Sequence, residues 1–169
     1  YLKIKECFST SCQNCVTNTI ELGGNDNDNN CLLTGPNGSG KSTFLKSVMS
    51  SVILGQTIGC MPAKEASFTP FEYCSTYLNI PDCQGKESLF QAEMSRCHQH
   101  LDKLKHLEEN KKPSLNIMDE IFVSTNYLEG MSGAYAVIKN IENYNHSLNI
   151  ITTHFDKLLK YPLNLSIHY

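Results

Sequence analysis

Chemistry is concentrated in the segment Gly35-Pro36-Asn37-Gly38-Ser39-Gly40-Lys41-Ser42, followed by Thr43, which matches G-x-x-x-x-G-K-[ST] in full. Glycines at these spacings let backbone N–H groups turn inward around an anion, and a helix that starts here points its positive end at the same place. Lys41 supplies a cation for the β- and γ-phosphates of a nucleotide, and Ser42 a hydroxyl for Mg²⁺. The pattern is therefore a nucleotide P-loop, provided that a strand precedes it and a helix follows.

A second centre is the acidic pair Asp119-Glu120, directly after the apolar run Leu115 to Met118. A carboxylate at a buried strand end is costly unless it has a cation to serve. Paired with an upstream P-loop this is a Walker B pattern, in which Asp119 binds Mg²⁺ through water and Glu120 orients or deprotonates the attacking water. His154 follows Ile150-Ile151-Thr152-Thr153 at another strand end, where α/β sheets place their ligands, and suits a switch facing the γ-phosphate. Ser88-Leu89-Phe90-Gln91 reads as a capping box. Ser88 is thus open to two roles, capping its own helix or facing a phosphate held by another subunit. Glu93 fits support of the helix or of a neighbouring loop better than catalysis.

The elements that must position these residues alternate short apolar runs with helical patterns, as in an α/β domain with a mainly parallel sheet flanked by helices. Strands are expected at Val16 to Leu22, Cys31 to Thr34, Leu115 to Met118, Leu148 to Thr152 and near Leu165 to His168. The Asn- and Asp-rich stretch Gly23 to Asn30 reads as a surface turn. A helix over Lys41 to Leu54 would place Leu45, Val48 and Val52 on one face. Two β-rich pieces are expected between Ile58 and Leu78. From Ser88 the residues Phe90, Met94, Cys97, Leu101 and Leu104 form an apolar stripe that Lys111-Lys112-Pro113 ends, and Met131, Ala134, Ile138 and Ile141 mark a further helix.

With 169 residues, 40% hydrophobic and 18% charged, the chain can close one core. Residues 1–169 are read as a single domain, and the missing initiator Met suggests a piece of something longer. No apolar run reaches membrane-spanning length and no signal-peptide pattern opens the chain, so an intracellular protein is expected. Eight cysteines lie mostly in apolar stretches, among them Cys31, Cys60, Cys74 and Cys97, and read as reduced thiols. Cys12 and Cys15 form one C-x-x-C, but no second pair stands at zinc-site spacing. A net charge of −3 with one arginine, Arg96, argues against direct clamping of a nucleic-acid backbone.

Taken in order, several segments resemble the MutS family of DNA mismatch repair proteins. Leu33-Thr34-Gly35-Pro36-Asn37 with Gly40-Lys41-Ser42-Thr43 resembles its T-G-P-N phosphate loop, and Pro62-Ala63 its V-P-A step. Gly85 through Met94 resembles the S-x-F-x-x-E-M segment, Met118 to Ile121 with Thr125 and Gly130 the D-E-I-x-x-x-T stretch, and Thr153-His154-Phe155 the T-H switch. The correspondence runs from about Asn18 to Phe155. It implies an ATPase of ABC-like class using ATP and Mg²⁺. The family acts as a homo- or heterodimer, in which Ser88 would reach the partner's γ-phosphate, with ATP driving DNA clamping by domains outside this chain. Phe122-Val123-Ser124 stand where the family has Gly-Arg-Gly, and Cys15-Val16 where it has an aromatic beside the adenine. The family's C-terminal helical dimerisation element is not expected, since Tyr169 follows soon after the switch. The rival expectations are another ABC-type ATPase, whether SMC-like or a transporter subunit, and a nucleotide-dependent assembly module without turnover. No L-S-G-G-Q string supports the first.

Overall fold

The computed structural model describes residues 1–11, 15–24, 28–78, 89–161 and 166–168, the last three for their backbone alone. Among the described residues, eight strands and three α-helices follow in the order β1 (Leu2–Cys7), β2 (Asn18–Leu22), β3 (Asn30–Thr34), α1 (Lys41–Ile58), β4 (Glu65–Phe68), β5 (Tyr73–Tyr77), α2 (Leu89–Glu109), β6 (Ser114–Met118), α3 (Tyr127–Ile141), β7 (Ser147–Thr153) and β8 (Ser166–His168). A short 3-10 helix, Asp156–Lys160, precedes β8.

Five strands form one parallel sheet in the order β5-β6-β7-β3-β8. Its central strands β6 and β7 are buried at every position, as expected when helices or a second layer cover both faces. Side chains still alternate between those faces. Leu32, Met118 and Ile151 join the core formed with α2 and α3, while Cys31, Ile117 and Ile150 join the core formed with α1.

A row of polar residues crosses the α2/α3 face in register: Ser75 lies beside Asn116, Asn116 beside Asn149, and Asn149 beside Asn30. Their side chains are linked in the same sequence, Ser75 Oγ to Asn116 Oδ1 at 3.0 Å, Asn116 Nδ2 to Asn149 Oδ1 at 3.2 Å, and Asn149 Nδ2 to Asn30 Oδ1 at 2.7 Å. Asn116 Nδ2 also donates to Ser147 Oγ at 2.8 Å. These bonds offset the cost of burying amides in an otherwise apolar layer.

The sequence predicts one mainly parallel sheet and no strand before Val16. Instead β1 pairs antiparallel with β2 and β4 in a separate sheet of order β2-β1-β4, and β2 begins at Asn18. The β1 segment is short and carries Lys3 and Lys5 alternating with Leu2 and Ile4, so its burial depends on α1 and the neighbouring strands rather than on an apolar run. On α2 the expected stripe shifts, with Glu93, Cys97, Leu104 and Leu107 buried and Met94 exposed. The six described cysteines are free thiols, and Cys60, expected in an apolar setting, is exposed. Among the described residues no helix is long and apolar enough to cross a membrane.

Candidate functional site

The glycine loop connects β3 to α1, and the acidic pair leaves β6, two strands away with β7 between. Because the sheet is parallel, both connections emerge at the same edge, where open α/β sheets hold ligands. Gly38 and Gly40 take φ of 81° and 96°, the left-handed region that suits glycine. An added Cβ would meet nothing within 4 Å at either position, so backbone conformation rather than space demands glycine there. Gly40 caps α1 without a side-chain hydrogen bond, which leaves the first-turn N–H groups without a capping side chain.

Lys41 opens α1 but is buried. Its Nζ donates to the carbonyls of Gly35 at 2.9 Å and Pro36 at 3.1 Å, and lies 3.3 Å from Glu120 Oε1. A cavity of about 280 Å³ is lined by Asn37, Gly38, Gly40, Ser42, Thr43 and Glu120, with Lys41 in its wall. A larger cavity of about 610 Å³ adjoins the other side of the loop, reaching from Gly35, Pro36 and Ser39 to Cys15, Val16 and Phe44. All nine predicted loop residues, Gly35 to Thr43, line one or both of these spaces.

Asp119 is 5% exposed, and alternation along β6 turns it to the same face as α1. Its Oδ1 accepts from Thr152 Oγ1 at 2.6 Å, and the same Thr152 oxygen accepts from Glu120 N–H at 2.9 Å. Asp119 N–H donates to Tyr77 O at 2.8 Å, tying the pair to β5 as well. Thr152 appears in the sequence only as part of an apolar run, and pairing of β6 with β7 is what gives it this place. After the pair the chain bends sharply, with φ of 46° at Glu120 and 62° at Phe122. The left-handed region is uncommon for a bulky residue. Here Gly130 and Gly133 accommodate it, since a Cβ on Gly130 would sit 2.5 Å from Phe122 O and one on Gly133 2.9 Å from the Phe122 ring.

His154 stands just past β7, between the two connections in sheet order. Its ring lies 4.2 Å from the Phe155 ring, and it does not line the cavity that holds Lys41 and Glu120. The structure thus brings Lys41, Ser42 and Glu120 to one cavity, with Asp119 buried beside Glu120, and leaves His154 at the edge. Ser88 and Cys12 lie outside the described residues.

A family model described as MutS domain V matches residues 31–167. The chain belongs to the MutS family. The DNA mismatch repair protein MutS of Streptococcus uberis is 31% identical over 147 residues, covering 86% of this chain and 16% of that protein. The protein of the same name from Alkaliphilus metalliredigens is 34% identical over 129 residues, or 75% of this chain and 14% of that protein. A third, from Lactococcus lactis subsp. cremoris, is 33% identical over 147 residues, again 86% and 16%. This MutS-family chain therefore spans less than a fifth of the length of those relatives.

Proposed function

We propose that this chain is a P-loop ATPase domain of ABC-like class, binding ATP with Mg²⁺ and hydrolysing it to ADP and phosphate. The observation that carries this is the convergence on one cavity of the glycine loop, the uncapped start of α1, a buried Lys41 and the Glu120 carboxylate. A cavity with a cation, an uncapped helix start and a carboxylate beside them suits a phosphate chain and an attacking water.

In this reading Gly35 to Thr43 wrap the phosphates, and Lys41 exchanges its contacts with the Gly35 and Pro36 carbonyls for phosphate oxygens. Ser42, which lines the cavity, and Asp119, buried next to Glu120, carry oxygen donors of the kind that suits a hard cation, and they would hold Mg²⁺, directly or through water. The cation supplies neutralisation of phosphate charge. Glu120 accepts a proton from water as the water oxygen bonds to the γ-phosphorus, and the electron pair of the broken P–O bond leaves with ADP. His154, just past β7 and outside the lining of the cavity beside Lys41, would sense the γ-phosphate from the sheet edge. Ser88 would act on a partner's nucleotide. The larger cavity beyond Gly35 and Pro36 has room for the nucleoside. Coupling to DNA clamping would fall to regions outside this chain.

The test is a fluorescent-nucleotide titration with steady-state phosphate release on the parent chain and two variants. Lys41→Ala should weaken nucleotide binding by roughly 10- to 100-fold, the worth of hydrogen bonds to a charged group. Glu120→Gln should keep binding and lose roughly 10² to 10⁴ in turnover. Unchanged affinity in Lys41→Ala would show that the loop is not the site, and binding without phosphate release by the parent would leave a nucleotide-dependent assembly module.

A further inference from the structure

Beyond the residues assigned to nucleotide and water, α2 is tied to the bend that carries Glu120. Glu93 is buried on α2, and its Oε2 accepts the hydroxyl of Ser124, which lies four residues beyond Glu120. One turn earlier on the helix, the Phe90 ring meets the Phe122 ring edge-on at 6.2 Å between centroids. The same stretch of α2 is anchored to the end of β5 and the residue after it, because Tyr77 OH donates to Glu93 O at 3.1 Å and Arg96 donates to Leu78 O at 3.0 Å. The bend itself is unfavourable without support, with left-handed backbone at both Glu120 and Phe122. A buried carboxylate fixed to a hydroxyl in such a segment is a strong point of attachment, since losing either partner leaves the other desolvated.

We propose that Glu93 and Ser124 are positioning residues. They hold residues 120–124 against the N-terminal turns of α2, so that the helix sets where the Glu120 carboxylate stands relative to Lys41. Neither side chain lines the cavity beside Lys41, and both act through the bend. The consequence for turnover rests on the proposed hydrolysis, whereas the tie itself does not.

Two measurements on the 169-residue chain separate these levels. Amide hydrogen exchange of residues 120–125 should quicken at least about tenfold in both Glu93→Leu, which has no acceptor for the hydroxyl, and Ser124→Ala, while amides of β6 and β7 keep their parental rates. In parallel, affinity for ATP with Mg²⁺ should stay within about threefold of the parent and kcat should fall about tenfold or more. Ser124→Thr, which keeps the hydroxyl, should retain both properties. The double variant Glu93→Leu/Ser124→Ala should be no slower than the worse single variant, because one contact is lost once. Unchanged exchange in the bend, or quickening spread evenly over the sheet, would overturn the tie. Quickened exchange with parental kcat would overturn the positioning role, as would multiplicative losses in the double variant. A parent that binds nucleotide without releasing phosphate would refute the hydrolysis reading and with it the effect on kcat, and the exchange data would still decide whether α2 holds the bend.

Discussion

The Thr152 hydroxyl accepts from Glu120 N–H and donates to Asp119, so one oxygen fixes both acidic residues at the edge of the sheet. Replacing it with the near-isosteric Thr152→Val keeps the volume and strands two buried polar groups. Stability should drop by about 1 to 3 kcal/mol in urea denaturation, with Thr152→Ser recovering most of it. A drop within experimental error would mean that neither group depends on this hydroxyl. The glycine loop and the acidic pair were both legible in sequence because their chemistry is local, a backbone shape plus a charge. Thr152 was not, because its role comes from a neighbouring strand.

Across the sheet, the row Ser75, Asn116, Asn149, Asn30 is a device of register as much as of stability. A slip of β6 against β7 by one residue would separate Asn116 from Asn149 and turn buried amides into the opposite, apolar core. Asn116→Leu should therefore cost about 1 to 3 kcal/mol despite the added apolar surface, since Ser114, Ser147 and Asn149 lose a donor. Thermal or urea unfolding would check it, and a stabilised variant would contradict the role of the row. At its end Ser75 Oγ meets His100 Nδ1 at 3.4 Å, and His100 Nε2 is buried without a partner among the described residues. Burial, with the Arg96 guanidinium adding to it, lowers the His100 pKa from 6.5 to about 4. The unfolded chain binds that proton more readily. Stability tied to neutral His100 is thus complete above pH 6.5 and lost as pH falls toward 4, by at most roughly 3 kcal/mol. In His100→Leu, the stability difference between pH 7.5 and pH 4.5 should shrink by about 2 kcal/mol relative to the parent, measured from urea midpoints at both pH values. An equal pH dependence in the two proteins would exclude His100 as its source.

For the whole molecule, the open question is whether one chain completes its own site. Val123, Tyr127 and Leu128 leave apolar side chains exposed around the start of α3, close in sequence to the bend beside the acidic pair. Together with a role for Ser88 in trans, this predicts phosphate release that rises faster than linearly with protein concentration. Ser88→Ala supplies an intact loop and Glu120, and Lys41→Ala supplies an intact Ser88. A mixture of the two should regain release that neither has alone. If Ser88 only caps its own helix, Ser88→Ala should lose about 0.5 to 2 kcal/mol of stability and keep its activity per folded molecule. No recovery in a mixture with demonstrated mixed dimers would count against action across an interface.

Local pattern alone determined which segments are helix and which are strand over most of the chain, including α1, α3, β3, β6 and β7, because apolar periodicity and glycine or proline breaks are properties of neighbouring residues. It also determined the loop and the acidic pair. The separate antiparallel sheet of β1, β2 and β4 was decided by tertiary structure, since β1 is buried by α1 and by strands distant in sequence. The same holds for the shifted face of α2. Glu93 is buried there because Ser124 meets it, and Met94 is exposed beside it, an outcome that hydrophobicity along the helix cannot encode. Spacing placed Lys41 and Glu120 in separate motifs, and only the order β6-β7-β3 in a parallel sheet brings their side chains to 3.3 Å.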